Sequence, residues 1–203
     1  MKNSTIRTSF NKRIFTAGLL LNDIGFMLCH ITTLLGVFRD RAITKPFFEK
    51  IMTITTAVNG CVYCAWFHTR QAMLSGISEQ EVMNLMNLQF QADVSPWELP
   101  ALLYAQHFAE TNRHPDPDMT AGLYALYGEK TARHIILIVR MIFFGNLYGN
   151  TWDAVISRFQ GRPAPGSNII FEMVFFFLNA LFMVPVMLKM RRNRKATATG
   201  KET

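Results

Sequence analysis

Apolar residues recur at helical spacing along most of the chain, and no stretch alternates apolar and polar residues over the length of a strand. This pattern predicts an all-α fold. Between an apolar N-terminal stretch and an apolar C-terminal stretch, the predicted helical segments are 46–58, 61–74, 82–90, 99–111, a short helix that ends at Tyr127, and 131–159.

Residues with known preferences for helix ends mark several of these boundaries. Asn59-Gly60 is typical of a helix C-terminus. Ser78-Glu79-Gln80-Glu81 is a capping box, which predicts the start of the next helix. Gly128 is expected to end the short helix, and the long helix that follows is expected to bend at Gly145 or Gly149.

Two apolar stretches, residues 14–38 and 169–190, reach the ~20 mostly apolar residues that a membrane span needs. The first contains Asp23 near its middle, and an acid at the bilayer centre is costly. We therefore expect two packed helices there, broken near residues 22–25. The second has no charge between residues 173 and 188 and no polar face. Such a helix either contacts lipid or is buried, across the core or in a partner subunit, and the sequence leaves both open.

A segment rich in glycine and proline, residues 161–168, is expected to be a linker. It separates a helical core, residues 40–160, from an apolar helix with a basic tail, residues 169–203. Residues 1–39 are expected to form an N-terminal unit that consists of a basic start and the first apolar stretch.

The charge lies mainly at the two ends of the chain. The net charge is +7, but the first 13 residues carry four basic residues and no acid, and six basic residues against one acid follow residue 188. The rest of the chain is therefore slightly acidic. A nucleic-acid-binding protein usually carries its basic residues on the folded body, so we expect no nucleic-acid partner. Basic residues that flank apolar stretches are instead typical of contact with a membrane surface.

One cluster of reactive residues stands out: Cys61-Val62-Tyr63-Cys64 directly follows the predicted helix break, and His68 follows Cys64 by four residues. Cysteines three residues apart on the first turn of a helix share one face and can approach disulfide distance. The unpaired N–H groups at a helix N-terminus favour a thiolate. His68 lies one turn further along the same face, where it can exchange a proton with a thiol. Glu49 lies on the preceding helix, and an antiparallel return of the chain would bring it near the imidazole.

The same residues allow other interpretations. Cys61, Cys64 and His68 supply three ligands for zinc, but a structural zinc site normally has four, and the chain has no second CxxC motif. A c-type haem needs histidine directly after the second cysteine, and that position is Ala65, which excludes haem attachment. Three cysteines in all are too few, and odd in number, for a secreted disulfide scaffold.

This part of the chain resembles the carboxymuconolactone decarboxylase superfamily, and within it the alkyl hydroperoxidase D (AhpD)-like branch. The resemblance rests on the stretch from Glu49 through Asn59-Gly60-Cys61 to His68, followed by Ser75-Gly76-Ile77-Ser78-Glu79. Members of that branch have a glutamate twelve residues before a CxxC motif and a histidine four residues after it, and both spacings hold here. The resemblance covers residues 40–160 and is clearest over 46–86. It implies an AhpD-like helical bundle, extended here by N-terminal helices and an apolar C-terminal helix.

The resemblance also implies a role for each reactive residue. Cys64 would attack a peroxide as the thiolate, and Cys61 would resolve the oxidised Cys64 by closing the disulfide. His68 and Glu49 would form the proton relay that activates Cys64. The founding peroxidases have histidine directly before the second cysteine, where this chain has Tyr63. Tyrosine does not accept a proton near neutral pH, so Tyr63 is expected to donate a hydrogen bond to a bound peroxide or thiolate.

The function implied is that of a thiol-dependent peroxidase or disulfide oxidoreductase, which needs no metal or organic cofactor and is reduced by an external dithiol. Family members are usually homo-oligomers, commonly trimers or assemblies of trimers. A reactive dithiol suits the cytoplasm, and residues 169–190 with the two basic ends would suit attachment to an anionic membrane surface. Two other functions stay open: a membrane-associated redox switch or interaction protein without turnover, and a structural zinc module.

The remaining residues of these types are expected to have smaller roles. Cys29 lies in an apolar run and is expected to be a buried thiol. The histidines without a consistent spacing to an acid or a cysteine are expected to be structural: His107, His114 and His134. Three residues of the long apolar helix are expected to line the site: Asn146, Asn150 and Trp152.

Overall fold

The structure, a computed structural model, describes residues 10–92 and 94–198, and only the backbone of residues 194–198. The N-terminal basic residues Lys2 and Arg7 and the last five residues lie outside the described part. Within it the chain forms eight helices and no strand, which confirms the all-α prediction. The helices are α1 (Ala17–Cys29), α2 (Ile31–Val37), α3 (Lys45–Asn59), α4 (Val62–Leu74), α5 (Glu79–Met86), α6 (Leu99–Glu110), α7 (Pro117–Phe159) and α8 (Ile169–Ala198).

Helix α3 lies at the centre of the protein and contacts α4, α5, α6 and α7. Its apolar side chains Phe47, Ile51 and Ile54 are buried in the main core. Polar residues of the same helix are also buried, among them Glu49 and Thr56. Buried polar side chains need hydrogen-bond partners, so the contacts of these residues decide what α3 can do besides packing.

The predicted helix ends are confirmed where side-chain chemistry marks them. The hydroxyl of Ser78 accepts a hydrogen bond from the N–H of Glu81 at the start of α5. Gly60 ends α3 in the left-handed conformation, with φ +65°. Gly128 interrupts α7 with φ +72°, whereas the backbone stays helical at Gly145 and Gly149.

Two boundaries differ most from the prediction. Helix α5 ends at Met86, four residues before the predicted end, because Leu88 adopts a positive φ and places Phe90 in the core outside the helix. The N-terminal apolar stretch breaks at His30, between α1 and α2, and not near residues 22–25. Asp23 does not break α1, because its carboxylate is buried and accepts two hydrogen bonds from the guanidinium of Arg113.

The expectation of a buried Cys29 is wrong, since this thiol is exposed. Helix α1 packs one face on the core through residues such as Leu20 and Phe26. Its opposite face is left uncovered, and Leu21 and Leu28 are largely exposed there. The apolar surroundings of Cys29 in the sequence therefore belong to a surface of the protein.

Two of the described helices, α7 and α8, are long and apolar enough to cross a membrane, and α1 with α2 would make a third candidate with a bend of 66°. The apolar part of α7 is mostly buried inside the protein, which accounts for its composition. In the apolar 18-residue window of the candidate span Ile169–Asn193, only 17% of the window is buried inside the protein. Phe177, Leu178 and Leu181 on α8 are 75–90% exposed. Packing within the protein therefore does not account for the apolar outer face of α8.

Candidate active site

The reactive residues lie on a helical hairpin formed by α3 and α4. The left-handed Gly60 ends α3, and Cys61 follows in an extended conformation as the N-cap of α4. The sulfur of Cys61 accepts a hydrogen bond from the N–H of Cys64 at 3.3 Å. The sequence predicts that the motif lies at the start of a helix, as it does here. As a result, a backbone N–H group faces the sulfur atom of Cys61.

The two sulfur atoms lie 2.7 Å apart, with both cysteines as free thiols. Cys61 is completely buried and Cys64 is half-buried. A hydrogen bond from Cys64 lowers the pKa of Cys61 most, and backbone N–H groups lower it further, against the opposite effect of burial. The hydrogen bond to Cys61 and burial both raise the pKa of Cys64. Loss of the first proton from the reduced pair is therefore favoured at Cys61, and Cys64, the more accessible sulfur, keeps its proton longer.

Glu49 and His68 meet across the hairpin. The carboxylate of Glu49 lies 2.9 Å from Nδ1 of His68, and both side chains are at most 14% exposed. A carboxylate at Nδ1 fixes the orientation of the ring and leaves Nε2 for proton exchange. Within the described chain, His68 forms no direct hydrogen bond to either sulfur.

The hydroxyl of Tyr63 donates a hydrogen bond to Asp153 of α7 at 3.2 Å. Asp153 is also paired with the ammonium group of Lys12, at 2.5 Å. Burial, followed by the nearby charge of Asp153, raises the pKa of Tyr63. Tyr63 therefore stays protonated, and its hydroxyl holds the start of α4 against α7.

Helix α7 forms the other side of the site, and this contribution was only partly visible in the sequence. The thiol of Cys64 lies 3.5 Å from the carbonyl oxygen of Gly145. Asn146 is fully buried and lowers the pKa of Cys64, against the larger effects that raise it. Asn150 instead donates to the carbonyl oxygen of Asn59 at 2.9 Å. Sequence reasoning missed Gly149; the signal that marks it is the Gly-Asn pair repeated four residues apart at 145–146 and 149–150.

Gly149 leaves the space that the dithiol occupies. A Cβ atom at this position would lie 2.6 Å from the sulfur of Cys61 and 3.3 Å from the ring of Tyr63. A Cβ atom at Gly145 would have no neighbour within 4 Å. Only one of the two glycines is therefore required by the packing of the hairpin on α7.

Replacing Gly149 with alanine should displace Cys61, because the sulfur is enclosed and cannot move without shifting its surroundings. We expect the reduced protein to lose about 1–3 kcal/mol of stability, as overpacked cores do, and to form the Cys61–Cys64 disulfide more slowly. Thermal unfolding and the rate of disulfide formation measure the two effects. Gly145→Ala is the matched control and should be neutral or slightly stabilising, since alanine favours a helix over glycine. Equal behaviour of the two variants would contradict the packing argument.

Helix α8 covers the site from outside. Its inner side chains Phe175, Met183 and Met190 form one buried cluster with Cys61, Tyr63 and Trp152. The indole of Trp152 stacks on Phe176, with ring centroids 4.7 Å apart. Trp152 thus joins α8 to α7 and does not contact the sulfurs through a hydrogen bond in the described structure.

A metal-ion site was one alternative left open by the sequence. Among residues 10–92 and 94–198, no group of three or more histidine, cysteine, aspartate or glutamate side chains is arranged to hold a metal ion. The zinc module therefore has no ligand set in this part of the chain.

The remaining histidines have structural partners. His134 is buried and lies 2.7 Å from the carboxylate of Asp40. His107 accepts a hydrogen bond from the N–H of Asp116, and His114 lies at the surface. The pairing of His134 with Asp40 joins residues 94 positions apart, and sequence spacing gave no sign of it.

Comparison with known families matches residues 31–107 to the model described as the carboxymuconolactone decarboxylase family. The match extends from the start of α2 into α6, so it includes Glu49, both motif cysteines and His68. It confirms the resemblance at the level of the superfamily, and α7 and α8 lie beyond it. A search of curated proteins finds no match to the chain.

Proposed function

We propose that this chain, in which residues 31–107 form a carboxymuconolactone decarboxylase family domain, is a thiol-dependent peroxidase or disulfide oxidoreductase of the AhpD-like kind. One observation supports the proposal: the same hairpin carries a Glu49–His68 pair at 2.9 Å and two sulfurs 2.7 Å apart. The decarboxylase branch of the family lacks the cysteine pair, so the motif supports thiol redox chemistry.

The proposed reaction begins with the proton on Cys64. His68, oriented by Glu49, removes this proton through one water molecule, and the Cys64 thiolate attacks the nearer oxygen of a peroxide. The O–O bond breaks, Cys64 becomes a sulfenic acid, and the alkoxide or hydroxide takes the proton from His68. The Cys61 thiolate then attacks the sulfur of Cys64 and releases hydroxide, which is protonated to water. The sum is two thiols and one peroxide to one disulfide, one alcohol or water, and one water.

The cycle closes when an external dithiol reduces the Cys61–Cys64 disulfide by exchange. The lowered pKa of Cys61 suits it to act as the resolving thiolate, and its burial protects it from oxidation by bulk peroxide. The greater exposure of Cys64 suits it to meet the peroxide. No metal or organic cofactor takes part in this reaction.

Peroxide consumption tests the proposal directly. Reduced full-length protein is mixed with hydrogen peroxide or a small alkyl hydroperoxide in the presence of dithiothreitol, and peroxide loss is followed. Consumption of many equivalents per protein chain supports an enzyme. A single equivalent, with disulfide formation and no further turnover, would support the redox switch instead.

We also propose that the protein forms a homo-oligomer, a trimer or a multiple of it, as the family resemblance implies. Apolar side chains of α4 and α5 support this, since Phe67, Leu74 and Met83 are exposed near the reactive hairpin. Light scattering with size-exclusion chromatography measures the oligomeric state.

The proposed location is the cytoplasm, with α8 attached to a membrane surface. The inner face of α8 packs on α4 and α7, while its outer face is apolar and exposed. Lys189, Arg191 and Arg192 follow this face and are exposed, where they can contact anionic lipid headgroups. A helix with one face on the protein and one apolar face outward suits attachment along the membrane.

Replacing Leu178 and Leu181 together with aspartate should release the protein from membranes. Both side chains point away from the protein, so the fold should be retained. Flotation with vesicles that contain anionic phospholipid measures binding, which we expect to fall at least about tenfold because two large apolar side chains leave the lipid. Leu126→Asp, at an exposed position of α7, is the control and should leave flotation unchanged. Unchanged binding of the double variant would contradict attachment through α8.

A further inference from the structure

Two amide side chains and one guanidinium form a directed chain of hydrogen bonds that runs from Arg13 to Thr56. The guanidinium of Arg13 donates to Oδ1 of Asn59 at 3.1 Å. Nδ2 of Asn59 donates to Oδ1 of Asn146 at 3.1 Å. Nδ2 of Asn146 donates to the hydroxyl of Thr56 at 3.0 Å. Asn59 and Asn146 are buried, so these contacts are held away from bulk water.

The direction of this chain is fixed at its outer end. An arginine has only donors, so the atom of Asn59 that faces Arg13 must be the amide oxygen. The other end of the Asn59 amide is then a donor, and the atom of Asn146 that faces it must be an oxygen. The nitrogen of Asn146 therefore points the opposite way. One of its two N–H groups donates to Thr56, and the second remains available as a donor.

Asn146 directly follows the residue of α7 whose backbone contacts Cys64. The preceding residue, Gly145, has its carbonyl oxygen 3.5 Å from the sulfur of Cys64. The Asn146 side chain lowers the pKa of Cys64, which is the effect of a donor facing the sulfur. The other large effects on this thiol, its hydrogen bond to Cys61 and its burial, act in the opposite direction. Asn146 is thus a side-chain donor that favours the anionic form of Cys64.

We propose that Asn146 is a catalytic residue of the dithiol site: its amide N–H, aimed by Arg13 and Asn59, donates to the sulfur of Cys64 as negative charge forms there. This role rests on the thiol chemistry proposed above and adds a residue of α7, outside the matched family domain. His68 removes the proton from Cys64, and Asn146 stabilises the charge that remains. The site then needs both the α3–α4 hairpin and α7 to form an attacking thiolate.

The test measures Cys64 alone, without peroxide. In protein that carries Cys61→Ser, the pH dependence of alkylation by iodoacetamide gives the pKa of Cys64, with alkylation at Cys64 quantified by peptide mass spectrometry. Adding Asn146→Ala should raise the midpoint by about one pH unit, since a hydrogen bond to a charged group is typically worth that much. Adding the nearly isosteric Asn146→Asp should raise it further, because an anion then faces the sulfur. Arg13→Gln should give a smaller rise in the same direction.

Asn150→Ala is the matched control, because Asn150 is a buried asparagine one turn further along α7 that contacts the backbone of Asn59. It should leave the midpoint of Cys64 unchanged. An unchanged midpoint in Asn146→Ala, or an equal rise in Asn150→Ala, would overturn the proposal. If Asn146→Ala does not fold, the Asn146→Asp and Arg13→Gln variants decide by the same measurement. Alkylation requires no turnover. This measurement therefore tests the role of Asn146 independently of whether the protein has peroxidase activity.

Discussion

Cys64→Ser should abolish the turnover of peroxide in the presence of a dithiol. The serine hydroxyl keeps the shape of the side chain but does not ionise to a comparable nucleophile, so no sulfenic acid can form at this position. The rate should fall to that of the dithiol alone. Peroxide consumption under identical conditions measures the change, and the far-ultraviolet circular dichroism of the variant checks that the helical fold is kept.

Cys61→Ser provides the comparison, because it removes the resolving sulfur and keeps the attacking one. This variant should consume one equivalent of peroxide and stop, with a sulfenic acid at Cys64 that a dimedone reagent labels and mass spectrometry detects. If the reagent instead labels Cys61 in the Cys64→Ser variant, Cys61 is the attacking cysteine and Cys64 the resolving one. That outcome would mean that the lowered pKa of Cys61 matters more for attack than the greater exposure of Cys64.

Glu49→Gln should lower the rate of peroxide reduction about 10²-fold or more, which is the usual contribution of positioned acid–base groups. Glutamine has nearly the same shape but no charge, so it orients His68 poorly and does not stabilise the imidazolium that forms when Cys64 loses its proton. His68→Gln should have an effect of similar size, and the double variant should be little worse than either single variant, because the two side chains act as one relay. Single-turnover oxidation of the dithiol measures the chemical step.

The control for this prediction is another buried His–carboxylate pair among the described residues. Asp40 lies 2.7 Å from Nδ1 of His134 and also accepts a hydrogen bond from Thr131. Asp40→Asn should destabilise the fold, since it breaks a buried pair in the same way as Glu49→Gln. It should leave the oxidation rate of the folded protein unchanged. If both variants slow oxidation equally, the Glu49–His68 pair stabilises the fold and is not a relay.

The sequence predicted helix ends correctly where a nearby residue determines the backbone conformation. Ser78 and Gly60 act within one turn of their own positions, so their effects can be predicted without knowing the rest of the fold. The break between α1 and α2 was misplaced because Asp23 was taken as a polar interruption of the helix. Its partner Arg113 is 90 residues away and makes Asp23 a buried contact within a continuous helix. The exposure of Cys29 was missed for a related reason, since sequence alone does not show which apolar face of α1 is covered.

The order of residues along the chain determined the core of the candidate site. Cys61, Cys64 and His68 share a helix face through spacing alone, and Glu49 is carried back to them by the short turn at Gly60. Only the tertiary structure decided which sulfur holds the charge, because that depends on burial and on groups that arrive from α7. It also decided that Asn146 of α7 bonds to Thr56 of the hairpin, that Gly149 leaves room for Cys61, and that α8 covers the pair. Contacts within a hairpin follow from helical geometry, whereas contacts between distant helices depend on how the whole core packs.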